Sequence, residues 1–302
     1  MKDSLMRALV TGGSGFIGAW IIKALIQKGY DIRSFDIRPD RRVAGNILAS
    51  ATDTVEWRIG DVADTNAVRE AAEGCDLLIH LAAILTPDCQ QNPIRGVNVN
   101  LIGTLNIFEA ARDLGLAKVL YMSSAGVFGP DHAAVPEPTT LYGAFKLAGE
   151  GAARAYWADH QIASVGFRPL IVYGPERETG LTAAPSLACR AAARGQDAEI
   201  PFSGMTDFVY VTDVAAAFTA AADAEPNGAR VYNVTGETCS AADFASAVTA
   251  AAPGVQITSA GPGLPVSAGM DGTALRTDFP GLPLTSVAAG IARTIAFYRE
   301  LK

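Results

Sequence analysis

Through about residue 170 the apolar positions fall into short solid runs at 5–10, 31–36, 55–59, 76–83, 118–124 and 163–167, separated by stretches in which they recur at helical spacing. The solid runs read as strands covered on both faces, and the spaced stretches as the amphipathic helices that cover them. Helices are expected over 19–28, from Asp64 or Thr65 to about 72, over 92–115 and onward from 141. Strands alternating with helices predict an α/β domain on a doubly wound parallel sheet. Beyond residue 173 the rhythm changes. Helices are expected at 181–195, 213–222 (capped by Thr212 or Asp213), 240–251 and 286–299, with short strands at 207–211 and 230–234 and a Gly/Pro-rich stretch over 254–283. This second part predicts a small, irregular α+β cap, with no repeat and no flexible linker.

The first strand runs into Thr11-Gly12-Gly13-Ser14-Gly15-Phe16-Ile17-Gly18 and then into the first helix. A helix N-terminus offers free N–H groups and the positive end of a dipole, and glycine lets the backbone approach a pyrophosphate closely. Such a turn can also serve tight packing alone; its place between strand and helix favours a dinucleotide site of the Rossmann type, although the spacing is GxxGxxG and not GxGxxG. Asp36 ends the second strand 18 residues after Gly18. A carboxylate there suits the adenosine ribose hydroxyls and repels a 2′-phosphate, so NAD is expected over NADP, with Arg38 softening the rejection. The plainer reading is that Asp36 only starts a turn.

With 302 residues, 49% hydrophobic and 18% charged, the chain has enough material for one large domain or two closely joined ones. A net charge of −7 without a basic cluster argues against nucleic acid and anionic membrane as partners. Met1 to Met6 is too short and polar for a signal peptide, and Met6 is a candidate start; Asp213 and Asp223 break the longest alanine-rich tract. A cytoplasmic protein is expected. Cys75, Cys89, Cys189 and Cys239, like His80, His132 and His160, are scattered, so neither a metal site nor a disulfide framework is expected.

The fifth strand ends in Ser123-Ser124, and Tyr142 and Lys146 follow at i and i+4 on one helical face. Tyr298 and Lys302 share that spacing, so only position separates the pairs. A phenol titrating near ~10 is a poor base unless its phenolate is stabilised, which a lysine one turn away would do. Tyr142 is then the expected base toward a substrate hydroxyl, with Ser124 holding the same oxygen.

TGGSGFIG, Asp61-Val62, His80-Leu81-Ala82-Ala83, Asn100 before Gly103-Thr104, Ser123-Ser124, YGAFK, RPLIVYGP, DFVYVTDVA and VYNVTG, in this order over nearly the whole chain, resemble the extended short-chain dehydrogenases/reductases, the NAD-dependent epimerase/dehydratase family. That resemblance implies Ser124, Tyr142 and Lys146 as the catalytic set, with Asn100 as its helix-bending fourth member. It implies cofactor contacts at Gly12, Gly15, Phe16, Ile17, Gly18, Asp36, Ile37, Arg38, Asp61, Val62, Leu81, Ala82, Ala83, Tyr142, Lys146, Pro169 and Val172. It also implies an interleaved cap: an NAD-binding domain over 1–174 with about 208–235, and a substrate cap over 175–207 and 236–302. Ala125-Gly126 stand where the family's dehydratases carry Asp-Glu, and Ile171 and Thr206 where its epimerases carry the Asn and Arg that serve a nucleotide diphosphate. Ser124, Ala125, Tyr142, Ile171, Arg177 and Thr206 are the candidate substrate contacts, with Arg177 or Arg190 as compensating cations. The expectation is an NAD-dependent dehydrogenase acting on a free sugar or sugar acid; a nucleotide-sugar 4-epimerase with retained NAD is the alternative, and a non-catalytic NAD sensor a third class. The resemblance further suggests a homodimer through the helices carrying Asn100 and Tyr142, whose apolar faces serve equally as core.

Overall fold

The computed structural model describes residues 5–301. Most of the Met1–Met6 segment and Lys302, partner of Tyr298 in the second Tyr/Lys pair, lie outside the described residues. The strands are β1 (Arg7–Thr11), β2 (Asp31–Asp36), β3 (Glu56–Ile59), β4 (Leu77–His80), β5 (Lys118–Met122), β6 (Ala163–Pro169), β7 (Ile171–Tyr173), β8 (Ala198–Ile200), β9 (Met205–Tyr210), β10 (Ala229–Val234), β11 (Glu237–Ser240) and β12 (Ile257–Ser259). Seven form a parallel sheet in the order β10-β6-β5-β4-β1-β2-β3, the doubly wound sheet that the alternating pattern predicts. Successive side chains of a strand point to opposite faces. Ala8 and Val10 accordingly join the core under helices Phe16–Gln27 and Val211–Asp223, while Leu9 joins the core on the other face with Ile107, Phe108 and Ala153.

A second core holds the remaining layer together. β7 and β9 pair in parallel and β9 and β11 antiparallel, and Tyr173, Phe208 and Phe244 pack edge-to-face or stacked with Ile171, Cys189 and Ile291 around them. The chain leaves the large sheet after β6, builds this layer, and returns through helix Val211–Asp223 and β10. β9, expected at 207–211, begins at Met205 and lies in the small sheet.

Several elements differ from the sequence reading. Helix Val211–Asp223 starts before Asp213, with Tyr210 at its N-cap and no side-chain cap; Asp213, in its first turn, faces inward and accepts the Thr285 backbone N–H (2.7 Å) and hydroxyl (2.7 Å). The 92–115 helix is broken into Pro93–Val97, a π-helical segment Asn98–Ile102 and Gly103–Leu114. Helix Thr86–Gln91 lacks the apolar periodicity that would announce it, and helix Arg42–Leu48, too short to stand out, carries Val43, Ala44, Ile47 and Leu48 at helical spacing. Within 254–283 lie β12 and helix Thr273–Asp278. Among the described residues no helix is long and apolar enough to cross a membrane.

Candidate active site

The strand order reverses between β1 and β4, and in open α/β sheets ligands lie at the carboxyl ends of the strands at such a switch point. The glycine turn sits there. Gly12 has φ +71°, and a Cβ on it would stand 2.9 Å from the Ala82 nitrogen after β4; a Cβ on Gly18 would stand 2.7 Å from the Gly13 Cα and closer still to the Gly12 carbonyl. Helix Phe16–Gln27 has no side-chain cap and no acid in its first turn, and the buried Ser14 Oγ above it has no partner. Free helix N–H groups, an orphaned hydroxyl and a cradle that tolerates no side chain fit a dinucleotide pyrophosphate. Asp36 stands at the end of β2, its carboxylate accepting from the Ser14 (3.2 Å) and Arg38 (3.0 Å) backbone N–H groups, with Ile37 exposed beside it. Asp61 lies beyond β3 and pairs with Arg95 at 2.8 Å. Gly15, Phe16, Ile17, Val62, Leu81 and Ala83 follow the carboxyl ends of β1, β3 and β4, Pro169 ends β6, and Val172, in β7, is buried in the core under helices Phe16–Gln27 and Val211–Asp223.

Asp36→Ala is expected to lower the preference for NAD over NADP about tenfold to a hundredfold, the worth of one charge-assisted hydrogen bond. Dissociation constants for both cofactors check this, and an unchanged ratio would show that Asp36 does not read the ribose.

A chain of hydroxyls and one imidazole ties the switch point to the π-helical segment. The backbone N–H groups of Leu81 and Ala82 donate to Thr11 Oγ1 (3.2 and 3.3 Å). Thr11 Oγ1 then meets His80 Nδ1 (2.8 Å), His80 Nε2 meets Thr104 Oγ1 (3.2 Å), and Thr104 Oγ1 donates to the Asn100 carbonyl (2.9 Å). Every proton in the series is placed only if His80 is neutral with its hydrogen on Nε2. Burial enforces that state, pushing the imidazole down to about 3. Thr11, His80 and Thr104 thus tie the chain after β4 to the π-helical segment.

Ser124 follows β5 and caps a 3₁₀ turn, Ala125–Val127, accepting from the Gly126 N–H at 3.0 Å. Helix Leu141–His160 starts against that turn: Thr140 caps it through the Gly143 N–H (3.1 Å), and a Cβ on Gly143 would collide with the Gly126 carbonyl. Only glycine permits this approach, which sets the Tyr142 ring and the Ser124 hydroxyl on either side of Gly126. Loss of hydration pushes the phenol up to about 12; the Ser124 hydrogen bond and the Arg177 charge pull it back. Lys146 is buried with Nζ donating to the Met122 carbonyl (2.7 Å) and lies 5.7 Å from the Tyr142 ring centroid. Desolvation lowers it to about 8, against the raising influence of Cys89 and Glu150.

Asn100, buried in the π-helical segment, clamps Ile84 by both backbone groups, accepting from its N–H (3.1 Å) and donating to its carbonyl (2.9 Å). Its amide also reaches Cys89 Sγ at 3.2 Å. Beneath Lys146 lies a fully buried carboxylate, Glu150, with Arg168 bound in a two-pronged pair (2.7 and 2.5 Å) and the Ser123 hydroxyl at 2.5 Å.

The structure brings Ser124, Tyr142, Lys146 and Arg177 together, whereas Ala125, expected as a substrate contact, is fully buried in a small core with Val127, Phe128 and Met270. Ile171 is fully buried in the second core, and Thr206 is buried with its hydroxyl unpartnered. Arg190 is held by Glu178 at 2.6 Å. Tyr298, the other tyrosine with a lysine four residues on, is buried and accepts from the Glu176 N–H at 2.6 Å, a structural tie.

The model of the NAD dependent epimerase/dehydratase family matches residues 8–235. The chain is 29% identical to a UDP-glucose 4-epimerase of Mycolicibacterium smegmatis, with 98% of this chain and 99% of that protein aligned. It is 31% identical to an NAD-dependent glucose-6-phosphate dehydrogenase of Haloferax volcanii over 53% of this chain and 66% of that one. The crystal structure of the Thermus thermophilus UDP-glucose 4-epimerase in complex with NAD superposes with a TM-score of 0.83 at 26% identity, covering 98% of this chain and 99% of that one. With its glycine cradle at the switch point and its Ser, Tyr and Lys at the carboxyl end of β5, this chain belongs to the NAD-dependent epimerase/dehydratase family.

Proposed function

We propose that this enzyme is an NAD-dependent dehydrogenase that oxidises a secondary hydroxyl of a free sugar or sugar acid. The observation that carries this reading is the burial of Ile171 and Thr206 beside a complete Ser124/Tyr142/Lys146 set. At the two positions where an epimerase would present an amide and a guanidinium to a nucleotide diphosphate, this chain presents core side chains, so the charge-assisted contacts are missing. Bound NAD, held by the glycine turn, Asp36 and Lys146, supplies the hydride acceptor. Tyr142 takes the hydroxyl proton, Ser124 Oγ orients the same oxygen, the Lys146 ammonium favours the phenolate, and Asn100 steadies the 82–85 loop that walls the cleft.

The nucleotide-sugar 4-epimerase reading is favoured by the full-length likeness to a UDP-glucose 4-epimerase. Purified protein, denatured and assayed for released NAD, then tested intact with added NAD against sugars, sugar acids and UDP-glucose, separates the two. Empty protein that forms NADH with a free sugar or sugar acid supports the dehydrogenase. Stoichiometric bound NAD with UDP-glucose interconversion and no net NADH overturns it. A non-catalytic NAD sensor would be indicated by a biological phenotype that survives Tyr142→Phe.

The domain division, with the cap over 175–207 and 236–302, a cytoplasmic location and a homodimer belong to the same proposal. For the homodimer, support comes from the exposed Ile94, Ile102 and Leu141 on or beside the helices that carry Asn100 and Tyr142.

A further inference from the structure

Arg177 is the unusual cation of this molecule. The other half-buried and buried arginines face carboxylates: Arg7 with Asp31, Arg33 with Glu56, Arg95 with Asp61, Arg168 with Glu150, and Arg190 with Glu178. Arg177 has no acidic partner among the described residues. Its Nη1 donates to the Val172 carbonyl (2.7 Å) and its Nη2 to Thr182 Oγ1 (2.7 Å), both neutral acceptors, and its Nε is shut off from water with no acceptor. Two of the five guanidinium hydrogens are placed and three are not. The group lies over the Phe16 ring at 5.9 Å, and its charge bears on the Tyr142 phenol.

A desolvated cation without a counter-charge is costly, and mutual geometry shows where the missing charge belongs. Val172 and Thr182 each hold one Nη, so the fork is preorganised, and the second hydrogen of each Nη is left without an acceptor. Two such hydrogens on a fixed guanidinium suit the oxygens of a carboxylate or phosphate ester.

We propose that Arg177 reads a compact oxyanion, a carboxylate or a phosphate ester, carried by the substrate itself near the hydroxyl that Tyr142 serves. This rests on the dehydrogenase reading for the location of that hydroxyl. It narrows the substrate class from sugars in general to acidic or phosphorylated polyols. Because Phe16 belongs to the glycine turn, the competing occupant is the cofactor pyrophosphate, and the test separates the two.

The test uses the whole protein with NAD bound, titrated by calorimetry with gluconate, glucose 6-phosphate, glucose and UDP-glucose, alongside the dissociation constant for NAD. Wild type is expected to bind gluconate or glucose 6-phosphate at least about tenfold more tightly than glucose, as a charge-assisted forked pair should provide. Which of the two binds tells carboxylate from phosphate. In Arg177→Met that ratio is expected to fall close to one with NAD affinity within about threefold, and in Arg177→Lys to be partly retained, since a lysine keeps the charge but not the fork. Circular dichroism of both variants guards against misfolding. No preference for either anion over glucose overturns the proposal, as does a loss of NAD affinity in Arg177→Met that matches the loss of anion, or UDP-glucose binding through Arg177 while both small anions fail. Arg177-dependent binding of a small anion without oxidation of any substrate would leave the oxyanion site standing and remove the dehydrogenase reading.

Discussion

Tyr142→Phe is expected to cut turnover about 10²–10⁴-fold, the usual worth of a positioned general base, while NAD affinity stays within about threefold. The ring remains and only the oxygen goes. The phenol is pushed up to about 12 by desolvation, so little phenolate exists at neutral pH without help, and the helpers are Ser124 and Arg177. The neighbouring Lys146, lowered to about 8, is still mostly an ammonium at pH 7. The sign of the pH dependence follows. Below about 8 the ammonium is intact and the phenolate fraction grows with pH, so turnover should climb; above about 8 further phenolate is offset by loss of the ammonium, and the curve should level. Tyr142→Phe should remove the climb along with the rate. A Phe variant that keeps wild-type turnover would remove Tyr142 as the base, and a wild-type rate that falls from pH 6 to 8 would contradict the charge states assigned to the pair.

Much of this site is readable from the chain alone because its parts are local. The glycine turn, Asp36, the hydroxyl pair after β5 and the Tyr142/Lys146 spacing each lie within a few residues of an element end, and strand–helix alternation places those ends on one edge of the sheet. What escapes is set by contacts across distant segments. Gly143 looks like a poor helix residue until the Gly126 carbonyl is found where its Cβ would be. Asp213 looks like a cap and is instead the buried acceptor for Thr285, a residue just beyond the C-terminal Gly/Pro-rich stretch. Arg177 is visible as a cation near a conspicuous motif, but the missing counter-charge can be seen only when every neighbouring carboxylate has been assigned to another arginine.

Glu150 shows the same limit in its most consequential form, since two turns after Tyr142 in an exposed-looking helix it reads as a solvated charge. It is fully buried, and removal of it alone, as in Glu150→Ala, is expected to cost about 3–5 kcal/mol of stability by stranding the Arg168 guanidinium against Phe128 without a counter-charge. Urea unfolding followed at constant m-value measures this. A buried pair is not itself a large source of stability, so the double variant Glu150→Leu with Arg168→Met is expected to recover much of the loss. The recovery should not extend to catalysis. Glu150 raises the proton affinity of Lys146 one turn away and accepts from Ser123, the residue before Ser124, so the double variant should fold yet reach its alkaline plateau at a lower pH than wild type. A double variant that regains both stability and the wild-type pH profile would show that Glu150 serves only to neutralise Arg168. One that regains stability alone would place the carboxylate as a positioning residue for the lysine, acting through the end of β5.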